Sequence, residues 1–224
     1  MHIEPGVVDG AKMILAVATA AGAAGYTAKE VIQDIKAGGA LSLLPRTVLA
    51  AAGTFVFFEL LPHFAVGISE VHFILGSTLF LLLGTAPAAM GLALGLLIQG
   101  MFFAPTDLPM YFVNVTTLLV PLFAASALAS RVVAPGTAYV DLRYADVLKL
   151  SAVYQGGVVA WVAFWAFYGQ GVSATTLASV GTFGAAYMMV ILIEPLADLA
   201  ALAAAKSARD SGIARLLTPR LYAA

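Results

Sequence analysis

Residues 71–106, VHFILGSTLFLLLGTAPAAMGLALGLLIQGMFFAPT, run between Glu70 and Asp107 without a formally charged side chain. As one helix this stretch would be about 54 Å long, far more than one crossing of a bilayer core of about 30 Å needs. Gly84-Thr85-Ala86-Pro87 is the natural break, because glycine and proline end helices. Two spans, 71–84 and 87–104, are therefore expected here. Working outward, further apolar segments lie at 8–25, 42–60, 109–131, 147–169 and 174–204, which makes seven.

The whole composition agrees. Of 224 residues, 62% are hydrophobic and only 10% charged, with a mean hydropathy of +0.97. A soluble domain carries roughly 25% charged residues. The composition excludes a soluble enzyme, a nucleic-acid binder and a disordered chain. The fold expected is an all-α polytopic membrane protein of about seven transmembrane helices in the lipid bilayer. Residues 1–206 would form one integral-membrane domain and 207–224 a cytoplasmic C-terminal tail.

Charge placement orients it. With the N-terminus outside, ten of the 11 basic residues fall on the cytoplasmic side, as the positive-inside rule asks. They are Lys29, Lys36, Arg46, Arg131, Arg143, Lys149, Lys206, Arg209, Arg215 and Arg220. Lys12 is the exception. The outer loops 61–70, 105–108 and 170–173 carry no Lys or Arg. Reading 71–104 as one span would put the basic 132–146 loop outside, so the pattern favours seven spans with the C-terminus inside. The expected location is the inner (cytoplasmic) membrane.

Smaller features fit this map. Thr27-Ala28-Lys29-Glu30 reads as a capping box that opens a short amphipathic helix on the cytoplasmic side. Trp161, Phe164, Trp165 and Tyr168 read as an interfacial aromatic belt. Ala16, Ala20 and Ala24 read as a small-residue packing face. Glu194 and Asp198 read as a structural or partner-facing pair.

Cysteine is absent, so any metal site must use nitrogen or oxygen ligands. The N-terminus, MHIEPGVVDG, lacks the basic region, apolar core and cleavage site of a signal peptide. Met1 is expected to remain, since His2 is bulky. The three histidines, His2, His63 and His72, all fall on the outer side. A histidine at position 2 can offer one metal the α-amine of Met1, its own amide and its imidazole. His72 or His63 could fill the fourth position of a square plane. Such nitrogen sets suit Ni²⁺ or Cu²⁺, and imidazoles suit late first-row ions generally. Asn114 and Gln99 are the best candidates to orient the imidazoles by hydrogen bonds. Glu59, Glu70 and Asp107 lie near the outer side, where their charge would attract a divalent cation.

MHIEPGVV resembles the Met-His-Ile-Pro-Asp/Glu-Gly start of the substrate-capture subunits of cobalt and nickel energy-coupling-factor transporters, the CbiM/NikM family. Ser69-Glu70-Val71-His72 with Phe73-Ile74-Leu75-Gly76 resembles that family's Thr-Ser-x-His-Leu-Leu-Gly motif. Leu97-Ile98-Gln99-Gly100-Met101-Phe102-Phe103 and Val113-Asn114-Val115 are similar to its Leu-Leu-Gln-Ala-Leu-Leu-Phe and Ala-Asn-Val segments. The resemblance covers mainly residues 1–10 and 60–130. It implies substrate capture of Co²⁺ or Ni²⁺ by Met1, His2 and His72, with His63 as an alternative ligand and Asn114, Gln99 and Glu70 around them. Glu4-Pro5 reverses the family's usual order, and Glu70 stands where serine is usual. The resemblance also implies partners: a transmembrane coupling subunit, ATPase subunits and a small accessory membrane protein. The chain has no P-loop of its own, so it is expected not to be an enzyme and to need no cofactor. Two other readings are a self-sufficient secondary transporter or channel for a divalent cation, which would favour repeated halves, and an intramembrane metal-dependent enzyme, for which no HExxH occurs.

Overall fold

The computed structural model describes residues 2–134 and 136–223. Its helices in chain order are α1 (Met13–Gly38), α2 (Ala40–Phe55), α3 (Gly76–Leu83), α4 (Thr85–Phe102), α5 (Tyr111–Val132), α6 (Tyr144–Gln170), α7 (Ala174–Met188) and α8 (Glu194–Ser207). A π-helical turn, Val56–Leu60, extends α2. A small hairpin, β1 (Phe64–Val66) with β2 (Ser69–Val71), precedes α3.

Five stretches are helical, long and apolar enough to cross a membrane: Ala40–Leu60, Thr85–Phe102, Pro105–Val132, Tyr144–Gln170 and Ala174–Ser207. This makes the chain a multi-pass, almost wholly helical membrane protein. The uncharged run does break at Gly84, whose φ of +94° is a left-handed conformation that favours glycine. Pro87 then sits in the first turn of α4, where its missing N–H is harmless.

The segment before Gly84 differs from the expected helix over 71–84. Pairing of β2 keeps residues 69–71 extended, and Leu75 takes a left-handed φ of +52° before the helix can start. Only eight residues remain for α3, a length of about 12 Å. Hydropathy cannot distinguish extended from helical apolar chain, so the strand was invisible to it.

Small residues set the closest helix contact. A Cβ on Gly91 of α4 would lie 2.2 Å from the Cβ of Ala50 in α2, and one on Gly95 would lie 2.6 Å from Thr54. Glycine at four-residue spacing thus lets these two backbones touch. On α1 the buried small residues are Ala16, Ala20 and Ala23. Ala24 is exposed.

Polar contacts tie each end of the bundle. At one end, buried Arg46 donates to Asp34 at 3.0 Å and to the Leu83 carbonyl at 2.9 Å. The amide of Thr218 donates to the Leu82 carbonyl at 2.8 Å, and Arg220 reaches the Thr137 carbonyl at 2.8 Å. This end therefore gathers α1's C-terminus, the α3–α4 junction, the 132–146 loop and the tail. At the other end, Lys12 donates to the Gly169 carbonyl in the last turn of α6. A cation suits the negative end of a helix, which accounts for the one basic residue that the charge pattern left out.

Two expected features are corrected. α1 runs unbroken through Thr27, whose hydroxyl donates back to the Ala23 carbonyl at 2.9 Å rather than capping a new helix. Trp165 is fully buried, not interfacial, and Trp161 donates its indole N–H to Thr116 at 3.0 Å. Phe164 and Tyr168 remain exposed.

Candidate metal centre

The N-terminal segment is drawn in beside the hairpin through a single β-bridge. Ile3 bridges Ser69 in antiparallel fashion. The His2 carbonyl accepts from the Ser69 hydroxyl at 2.9 Å and from the Glu70 amide at 3.2 Å. On the other side, the Ile3 amide donates to Oδ1 of Asn114 on α5 at 2.9 Å. Clamping of the backbone at residues 2 and 3 directs the His2 side chain inward, to 4% exposure.

Strand alternation brings Glu70 and His72 to the same face, two residues apart. Oε2 of Glu70 then lies 3.0 Å from Nδ1 of His2 and 2.8 Å from Nε2 of His72. One potential ligand atom from each of these residues lies within 4.8 Å of the others. The two imidazoles meet edge to face at 5.2 Å, and Phe58 packs against both. Asp107 adds a second carboxylate 3.8 Å from His2 Nδ1.

The surroundings set the protonation. Burial pushes the His72 imidazole down to about 2, and burial also lowers His2. The hydrogen bonds from His2 and then His72 hold the Glu70 carboxyl well below the usual range. Burial raises Asp107. At neutral pH the group is thus two neutral imidazoles around an anion. Nε2 of His2 and Nδ1 of His72 are buried without hydrogen-bond partners. Unpartnered imidazole nitrogens and a carboxylate thus occur in one tight group, the kinds of ligand a divalent late first-row cation takes.

The remaining sequence candidates are placed as follows. His63 is exposed, stacks on His72 at 4.7 Å with the rings 12° apart, and its Nδ1 is 3.4 Å from the Leu61 carbonyl. Asn114 holds the N-terminal backbone rather than an imidazole. Gln99 donates to Glu59 at 3.5 Å. With Asn114, Asp107 and His2 it lines a cavity of ≈ 10 Å³, room for about one water-sized sphere. So neither amide orients an imidazole among the described residues. Met1 lies outside the described residues. Glu70 was read as a neighbour of the ligands, yet it contacts both imidazoles directly. The two-residue spacing on a strand was the signal for this.

A multi-pass helical membrane protein with a buried His–Glu–His group at the end that carries its N-terminus is the class defined by these observations. The family described as CbiM, cobalt uptake substrate-specific transmembrane region, matches residues 2–211. The chain belongs to this family and is a membrane component of cobalt uptake. Searches among curated proteins and solved structures gave no significant match.

Proposed function

We propose that this chain is the substrate-capture subunit of an energy-coupling-factor importer, taking Co²⁺ from outside the inner membrane. The observation that carries the reading is the convergence of His2, Glu70 and His72 from segments almost 70 residues apart in sequence. The α-amine of Met1 and the amide and imidazole of His2 form the chelate, and His72 completes it. Glu70 holds the imidazoles in position and supplies charge; His63 shields His72 from water. Ni²⁺ fits the same nitrogen set and is the competing cargo.

The bundle crosses the membrane seven times in this reading, N-terminus outside. Support comes from the segment between His72 and Gly84, which joins the metal centre to the Arg46 end of the bundle. Residues 72–75 followed by α3 reach at most about 25 Å, close to a bilayer core. The basic tail, the 132–146 loop and α1's C-terminus share that inner end. They form the surface for a transmembrane coupling subunit, the ATPase subunits that hydrolyse ATP, and a small accessory membrane protein. Residues 1–206 act as one membrane domain, and 207–224 as its cytoplasmic tail.

Calorimetric Co²⁺ titration of His72→Ala tests the reading. A loss of at least about 100-fold in affinity is expected, equivalent to about 2.7 kcal/mol. A change below about threefold would remove His72 from the site.

A further inference from the structure

A second polar group lies deep in the bundle, away from the histidines. The most apolar stretch, Ala174–Ser207, is not one continuous α-helix. α7 stops at Met188, a tighter turn spans Met189–Leu192, and α8 restarts at Glu194-Pro195. Glu194 and Asp198 follow at four-residue spacing, on one face of α8. Both are 0% exposed.

Their hydrogen-bond partners are all neutral. Oε2 of Glu194 accepts from the Ser151 hydroxyl and, at 2.6 Å, from the Gln155 amide of α6. Asp198 accepts from Ser77 at 2.8 Å and from Thr78, both on α3. None of the ion pairs among the described residues involves either carboxylate. Two buried carboxylates without a counter-charge are very costly in a low-dielectric interior.

Four further polar atoms there have no hydrogen-bond partner: Oε1 of Glu194, Oε1 of Gln155, and the hydroxyls of Tyr154 and Tyr187. All four side chains are 0% exposed. Tyr154 directly precedes Gln155 on α6, and Tyr187 lies one residue before the end of α7. The Tyr154 hydroxyl also abuts the start of α3, where a Cβ on Gly76 would sit 2.4 Å from it. Unpartnered oxygens of Gln155, Tyr154 and Tyr187 thus share the buried interior with the free oxygen of a carboxylate that has no ion-pair partner, at a break in a membrane helix. Broken helices of this kind hold coupling cations in transporters generally.

We propose that Glu194, with Gln155, Tyr154 and Asp198, forms a second cation site inside the membrane domain, for Na⁺ or a proton. Every donor is an oxygen, with no imidazole, so the site suits a small hard cation and not the transition metal held by His2 and His72. The cation cancels one of the two negative charges, the other staying with the hydroxyl donors Ser77 and Thr78, and so ties α3, α6 and α8 together. Since α3 follows His72 by only four residues, the site braces the segment that carries a metal ligand.

The test uses the full chain in lipid nanodiscs. Thermal unfolding is measured in NaCl against choline chloride at equal ionic strength, and infrared spectra report protonated carboxyl C=O groups. If Na⁺ is the occupant, Tm rises saturably, by roughly 5–10 °C at a hundredfold excess over Kd. Glu194→Gln, or Asp198→Asn should the first variant not fold, abolishes the rise. If the occupant is a proton, Tm is indifferent to Na⁺. The wild type then shows a protonated carboxyl band at neutral pH that the same variants reduce. Neither a Na⁺ effect nor a protonated carboxyl band in the wild type would overturn the proposal.

Discussion

Glu70 and Glu194 are both partly or wholly buried glutamates, and they face opposite kinds of neighbour. Glu70 sits at the end of a two-residue pair on a strand, receives the N–H groups of two imidazoles, and its side chain keeps 26% exposure. Glu194 sits at a helix break, receives a hydroxyl and an amide, and is fully buried. Neighbours decide which cation a carboxylate suits. Beside imidazoles it suits the borderline metal of the proposed capture site. Among oxygen donors alone it suits the hard cation proposed for the bundle interior.

The comparison can be broken by exchanging the two residues' roles. Glu70→Gln removes the anion between the imidazoles and should weaken Co²⁺ binding by about 10–100-fold, the usual cost of losing a group that orients metal ligands. Glu194→Gln should leave Co²⁺ affinity within about threefold. Equal losses in calorimetry would mean the two sites are one.

The pH dependence sharpens the contrast. Burial pushes His72 down to about 2 and lowers His2, so histidine protons contribute little to the displacement by Co²⁺ at neutral pH. The Met1 α-amine, with a reference value near 8, contributes more. The His2 amide must also lose its proton to coordinate, so affinity should rise with pH by up to about 100-fold per unit between pH 6 and 8 and by about tenfold per unit above. A rise complete by pH 7 would mean instead that histidine protonation limits binding. Stability follows the same sign. Unfolded histidines bind protons below about 6.5 and the folded ones do not, so Tm should fall as pH drops below that value.

The smallest effect is expected at His63. It stacks on His72 from an exposed loop, so His63→Ala should change Co²⁺ affinity by less than about threefold. A larger loss than at His72 would move the ligand to His63.

Much of this was legible in the sequence. Glycine and proline at 84 and 87 mark the break, and the histidine placement points to the end of the bundle where His2, Glu70 and His72 meet. The run of 71–84 misled because an extended segment and a helix are equally apolar there. Thr27 misled because its hydroxyl is as content bonding back to Ala23 as capping a helix. Asn114 was legible as functional but not in its role, since the bond to the Ile3 amide joins residues 111 apart. Glu194 and Asp198 were visible as two acids in an apolar segment. Their neutral surroundings come from α3 and α6, and pairings between helices leave no trace in one-dimensional spacing.

The central claim is that the free N-terminus itself is a metal ligand. The direct measurement is Co²⁺ calorimetry on the protein beginning at Met1 and on a form extended by one glycine before Met1. Extension displaces the α-amine while leaving His2, Glu70 and His72 in the chain. The account predicts that the extended form loses tight Co²⁺ binding, by at least about 100-fold, at unchanged Tm without metal. Equal affinity in the two forms would contradict it.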